Sequence, residues 1–161
     1  INHIISGQNY RLYGLQAEIL SVKLPYLETW NARRRQAAKY YDVTLRGLPL
    51  NCVRIANGAV SSHHLQVVQV ENRTRVQKAL ALNGIVTSIH YRIPCHLQPA
   101  YKHLTREAMP ISERAAQHII SLPMYPHLTN LQIDRVATVL QEVLMQPGQI
   151  QVPENLDAMA E

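Results

Sequence analysis

Leu12, Leu15, Ile19 and Val22 recur at helical spacing and predict an amphipathic helix near the start of the chain. Pro25 then breaks or kinks it, because proline lacks an N–H and crowds the preceding turn. A second helix is expected to resume near Tyr26, with Leu27, Trp30, Ala37, Tyr41, Leu45 and Leu48 facing inward and Gly47 and Pro49 ending it. Two such helices at the start of a small domain can act as a lever or linker as much as a core.

From residue 50 the period changes. Cys52 to Ile55 reads as a short strand followed by a turn at Asn57-Gly58, and His64 to Val70 as a β-branched central strand. Helical spacing returns from Arg73 to Leu82, where Asn83-Gly84 supplies a left-handed stop. Ile85 to Tyr91 is a further strand candidate, followed by a loop punctuated by Pro94 and Pro99. Ser112 is expected to cap a helix reaching Ile120, and Leu122 to Tyr125, bounded by prolines, to be at most an edge strand. Thr129 and Gln132 fit a capping box, and Ile133, Val136, Leu140, Val143 and Leu144 continue as a helical stripe. The fold class expected is α+β: two N-terminal helices kinked at Pro25, then a small, mostly antiparallel sheet with helices packed on one side. The expected division is 1–48 for the linker helices, 49–146 for the α+β domain and 147–161 for a mobile tail.

Composition narrows the function classes. The 161 residues, 47% of them hydrophobic, suffice for one cored domain. Neither an apolar run of membrane-spanning length nor a signal peptide is present, so a soluble, cytoplasmic protein is expected. Cys52 and Cys95 lie far apart and fit two ordinary thiols in a reducing compartment. The formal charge of +5 is compatible with nucleic acid, an anionic small molecule or simply a basic surface. Its densest run, Arg33-Arg34-Arg35, lies within a helical pattern and without any nucleic-acid-binding signature, so it is expected to be a solvated face. The first residue is Ile1 rather than methionine, and the chain is expected to be a piece of something longer.

Three groups of residues carry candidate chemistry. Asn9 and Arg11 stand where the first helix begins, so an amide and a guanidinium lie near free backbone N–H groups, a setting that favours an anion such as phosphate. Asn9 is equally suited to capping that helix, and Arg11 to a surface or intersubunit ion pair. The histidines form no metal pattern: His63 and His64 are adjacent, and a strand would turn them to opposite faces. The segment from Thr87 to His96 brings His90 and Tyr91 to the end of a strand, with His96 beyond Pro94 in a stiffened loop. Such a loop is either a pocket wall or purely structural. Cys95 beside His90 or His96 imitates a nucleophile and base, but with no orienting acid nearby in sequence, cysteine catalysis is not expected.

Taken together, these segments resemble the C-terminal part of the pyridoxal-phosphate (PLP)-dependent nucleotide-sugar aminotransferases, the DegT/DnrJ/StrS family of fold-type I. That family's Gly-Tyr-Asn-x-Arg and Leu-Gln-Ala-Ala are similar to Gly7 to Arg11 and Leu15 to Glu18. Its Leu-x-x-Trp-Asn-x-Arg-Arg helix resembles Leu27 to Arg34, and its Gly-Ile-x-Thr-x-Ile-His-Tyr-x-x-Pro-x-His matches Gly84 to His96 almost position for position. Glu113 to Ala116 and Leu122 to Pro126 complete a resemblance over about residues 5–145. It implies that Asn9 reaches across a dimer interface to the cofactor phosphate of the partner subunit, and that Arg11 lines the same shared site. It also implies that His90, Tyr91 and His96 lie near the sugar-nucleotide pocket.

The departures are informative. Gln8 and Gln66 replace aromatic residues, and Tyr13 stands where a small or acidic residue is common. The family's cofactor-binding lysine lies well before the Asn-x-Arg motif, whereas no lysine precedes Asn9 here, and Lys23, Lys39, Lys78 and Lys102 fall in segments matching other parts of the pattern. The expectation is a part of an aminotransferase that lacks the large domain, binds no cofactor and has no catalytic residue by itself. Its expected partners are a second copy or the missing large domain, with a nucleotide sugar in the complete enzyme and neither membrane nor nucleic acid. The alternative is a free-standing binding or self-association module derived from that domain.

Overall fold

The computed structural model describes residues 4, 5, 7, 12–101, 103, 104 and 107–145; Asn9, Arg11 and the 147–161 tail lie outside them. Pro25 tightens the first helical stretch rather than breaking it. Helix α1 (Gly14–Lys23) passes through a 3₁₀ turn (Leu24–Tyr26) directly into α2 (Leu27–Thr44), and Pro25 sits in the first positions of the turn, where a missing N–H is tolerated. No residue of α1 is buried. The inward stripe of α2 begins later than its spacing predicted. Leu27 is exposed and Trp30 is half-buried, its ring stacked on Tyr26 at 5.8 Å, whereas Ala37, Tyr41 and Leu45 enter the core.

The sheet has the order β1 (Leu50–Cys52), β2 (Gln66–Val70), β3 (Ile119–Leu122), both pairs antiparallel. Val68 sits opposite Cys52 on one side and Ile120 on the other, so β2 is central as predicted. Strand β1 starts and ends before the expected Cys52 to Ile55, and β2 starts at Gln66, leaving His63 and His64 in the incoming loop. The Asn57-Gly58 turn is in place, with Gly58 at φ 79 and Ala59 N–H donating to the Ala56 carbonyl at 3.0 Å. Along β2, Gln66, Val68 and Val70 are buried while Val67 and Gln69 are half-buried, the alternation of a sheet with one covered face.

Helix α3 (Arg73–Leu82) has the predicted limits. Asn72 caps it in the left-handed region at φ 49, its side chain accepting from the Arg75 N–H. Its end is a Schellman motif: Gly84 (φ 73) donates to the Ala81 carbonyl and Ile85 to that of Leu80, both at 2.9 Å. Helix α4 (Pro110–His118) begins two residues before Ser112, because Pro110 is suited to the first turn, and it gives way to β3 at Ile119. Helix α5 (Asn130–Met145) carries the expected capping box: Thr129 N–H donates to Gln132 Oε1 at 2.9 Å and Gln132 N–H to Thr129 Oγ1 at 3.3 Å.

The core joins Tyr41 of α2, Val76 and Leu80 of α3, Val68 of β2, Ile120 of β3 and Ile133 and Leu140 of α5. Burying each of these side chains stabilises the fold by about 1.5–3 kcal/mol before entropy is set against it. Tyr41 Oη donates to the Pro123 carbonyl at 3.0 Å, and Tyr40 Oη to Asp134 Oδ1 at 2.9 Å, so α2 is tied to the end of β3 and to α5. Among the described residues, no helix is long and apolar enough to cross a membrane.

Candidate functional site

The segment after Gly84 is not the strand its β-branched residues predicted. Ile85 is only 7% exposed because it closes the end of α3, Val86 turns outward, and pairing is confined to a single antiparallel bridge between Ser88 and Ser121. That bridge, with Ser88 N–H to the Ser121 carbonyl at 3.2 Å and Ser121 N–H to the Ser88 carbonyl at 2.8 Å, docks the segment beside β3. Two residues further on, His90 Nδ1 lies 2.9 Å from Ser121 Oγ, and Ser121 is buried. The peptide bond between His90 and Tyr91 is cis, and their rings meet edge to face at 5.6 Å.

From here the chain turns outward and then back. Tyr91 is 72% exposed and Arg92 is also exposed. Pro94 leads into a 3₁₀ turn (Cys95–Leu97), closed by Leu97 N–H to the Pro94 carbonyl at 3.0 Å, and a second turn follows at Pro99–Tyr101. His96 points inward: Nε2 lies 3.0 Å from Glu113 Oε1 near the start of α4. The same oxygen accepts the Met109 N–H at 2.9 Å, and these bonds hold the Glu113 carboxyl below its ordinary range. Buried Gln98 directs its amide at the Ile93 carbonyl. The loop thus presents His90 and Tyr91 at its rim, while His96 is turned to the protein. Glu113 and Ser121, which complete these contacts, are separated from their histidines by 17 and 31 residues and carry no local signal of the pairing.

The rim is basic. Arg73, at the start of α3, donates to the Ala116 carbonyl; burial and the nearby Arg92 both lower its pKa. Guanidinium groups suit phosphate or carboxylate partners. The run Arg33 to Arg35 is used differently. Arg33 donates to His127 Nδ1 at 3.0 Å, Arg34 to Asn31 and the Ser62 carbonyl, and Arg35 to Glu28, so the three side chains serve separate local contacts.

A surface groove of about 770 Å³ lies elsewhere, between the end of α2, β1 and the loop before β2. Asp42, Arg46, Cys52 and His63 are among its lining residues, and none belongs to the 87–101 loop. Burial and Asp42 push the Cys52 thiol up, so it is a poor thiolate. Burial pulls His63 down against the opposing pull of Asp42. Cys95 is exposed. Among the described residues, no group of three or more His, Cys, Asp or Glu side chains could hold a metal ion. Lys23, Lys39 and Lys78 lie on α1, α2 and α3; none lines that groove or belongs to the 87–101 loop.

Comparison with known proteins gives this arrangement its context. The chain is 39% identical over 142 residues to the erythromycin biosynthesis sensory transduction protein EryC1 of Saccharopolyspora erythraea, covering 86% of this chain and 39% of that protein. It is 37% identical over 143 residues to the UDP-N-acetyl-3-dehydro-alpha-D-glucosamine 3-aminotransferase of Acidithiobacillus ferrooxidans, covering 89% of this chain and 39% of that protein. The crystal structure of Streptomyces venezuelae DesV in complex with a ketimine intermediate superposes with a TM-score of 0.78 at 32% identity, over 91% of this chain and 42% of that one. The chain therefore spans about 39% of the length of these curated relatives. The model of the DegT/DnrJ/EryC1/StrS aminotransferase family matches residues 1–141, and with the fold and these identities it shows that the chain belongs to that family.

Proposed function

We propose that these residues form the C-terminal part of a PLP-dependent aminotransferase acting on a nucleotide-linked keto sugar, and that they are not catalytic by themselves. The observation that carries the reading is the loop 87–101, held at the edge of β3 with Tyr91 and Arg92 exposed, in a chain that matches sugar aminotransferases over part of their length. Bound PLP would act as the electron sink that lets an amino group move between an amino acid and a carbonyl. The described residues do not fit the role of holding it covalently: the lysines among them, Lys23, Lys39 and Lys78, lie on helices α1, α2 and α3 outside the 87–101 loop. Asn9 and Arg11 are our candidates for its phosphate.

This chain's own contribution is positional. His90, oriented beside Ser121, and Tyr91 offer a polar ring nitrogen and a phenol toward a sugar, and Arg73 and Arg92 suit the charge of a nucleotide diphosphate. His96 belongs to the same wall. The partner is the large domain or a second copy, and nothing in this reading calls for a membrane or nucleic acid.

The test is the complete gene product, assayed for glutamate-dependent amination of UDP- or dTDP-linked 3-keto sugars, beside the 161-residue chain titrated with PLP and treated with borohydride. Turnover by the former and no reduced lysine adduct on the latter are expected. Absence of turnover across such substrates would remove the aminotransferase reading. A stable adduct on Lys23, Lys39, Lys78 or Lys102 would overturn catalytic incapacity.

A second reading is favoured by the exposed apolar residues of α1: a free-standing module that binds or self-associates through that helix. It predicts a stable oligomer and no partner domain.

A further inference from the structure

We propose that Glu113 is a positioning residue of the sugar-nucleotide site, acting through His96 to hold the loop that presents Tyr91 and Arg92; the proposal rests on the aminotransferase reading for its functional half. The geometry is specific. The His96 side chain is only 8% exposed and that of Glu113 33%, so the ring offers little surface to a ligand, and its Nε2 is already committed to the carboxylate. A carboxylate only accepts, so the proton between them sits on Nε2 and the histidine donates. Glu113 Oε1 accepts from both His96 and Met109 N–H, so one oxygen fastens the loop to the first turn of α4.

The loop has a second fastening at its other end, where His90 meets Ser121. Between the two lie Tyr91 to Cys95, of which Tyr91, Arg92 and Cys95 are exposed. A short segment held at both ends samples few conformations, and its exposed side chains are ordered before a ligand arrives. Release of one end returns that freedom. The cost then falls on binding of the sugar nucleotide rather than on the chemical step. His96, read from the sequence as a substrate-binding residue, becomes the pin by which Glu113 acts.

The experiment uses the complete aminotransferase with Glu113→Ala, Glu113→Gln, His96→Ala and the Glu113→Ala/His96→Ala double variant. The glutamine oxygen can accept both hydrogen bonds, so Glu113→Gln is the conservative rescue. The expected result for Glu113→Ala is a KM for the sugar nucleotide raised about tenfold with kcat within about threefold, the scale of one lost charge-assisted hydrogen bond. Glu113→Gln is expected to stay within about threefold of the parent, and the double variant to be no worse than the worse single one. Amide hydrogen exchange in residues 90–101 should rise in Glu113→Ala while β2 and α5 keep their protection. Unchanged exchange in that loop, or a glutamine variant as impaired as the alanine one, overturns the proposal. Should Glu113→Ala not fold, His96→Ala carries the same exchange and KM comparison from the other end of the contact. An inactive parent enzyme counts against the aminotransferase reading, and the exchange result still decides whether the pin exists.

Discussion

Tyr41 joins a fully buried ring to a hydroxyl that donates to the Pro123 carbonyl at 3.0 Å, and burial pushes its phenol well above the ordinary range. Tyr41→Phe is expected to destabilise the chain by about 1–2 kcal/mol by leaving that carbonyl without its donor. Tyr41→Ala should cost about 3–5 kcal/mol through the cavity as well. Urea denaturation of the two variants separates these terms. Glu113 makes a second prediction at this scale. Its pKa is lowered in the folded chain, first by His96 and then by the Met109 N–H, from an ordinary value of 4.5. A depressed carboxylate stabilises the fold above the unfolded value, and that contribution is lost as pH falls through the folded one. The chain should therefore lose stability below about pH 4.5, and Glu113→Gln should flatten this part of the acid limb in urea melts taken across pH. Sequence placed His90 and His96 on one loop. It could not show their partners, because Ser121 and Glu113 reach them only after β3 and α4 have packed.

Elements whose signals are local were legible, and those that depend on a distant partner were not. Helix α3 has its predicted limits because Asn72 and Gly84 each fix a terminus with their own backbone conformation. Gly84 adopts φ 73, and a Cβ there meets no atom within 4 Å, so Gly84→Ala tests conformational strain without a clash. It should cost about 1–2 kcal/mol, as a left-handed alanine does. The capping box of α5 allows a parallel test: Thr129→Ala should cost about 1 kcal/mol, measured by thermal or urea unfolding. The failure at Ile85 to Tyr91 has a physical cause. A β-branched run becomes a strand only where a neighbouring strand accepts its backbone, and β3 offers one pairing position, at Ser121. Ile85 is instead consumed by the end of α3. The residues freed from pairing lead into the loop that carries the candidate site, so the segment expected as a strand and the candidate segment overlap at residues 87–91.

At the scale of the whole molecule, α1 conflicts with the rest of the fold. Leu15, Ile19 and Val22 form one apolar stripe, and Leu20, Leu24 and Leu27 repeat the spacing on another, yet all six are 45–75% exposed. A helix apolar on two sides gains from being covered, and no residue of α1 is buried. In the proposed enzyme that cover is the large domain or a second copy. The 161-residue chain alone should therefore associate as its concentration rises, measured by light scattering. Leu15→Gln with Ile19→Gln should reduce that association while changing the urea-derived stability of the domain by no more than about 0.5 kcal/mol, because neither side chain enters the core. A double variant that loses more stability would place α1 within the folding unit. A parent chain that stays monomeric would remove the self-association reading and leave the large domain as the partner for which α1 is built.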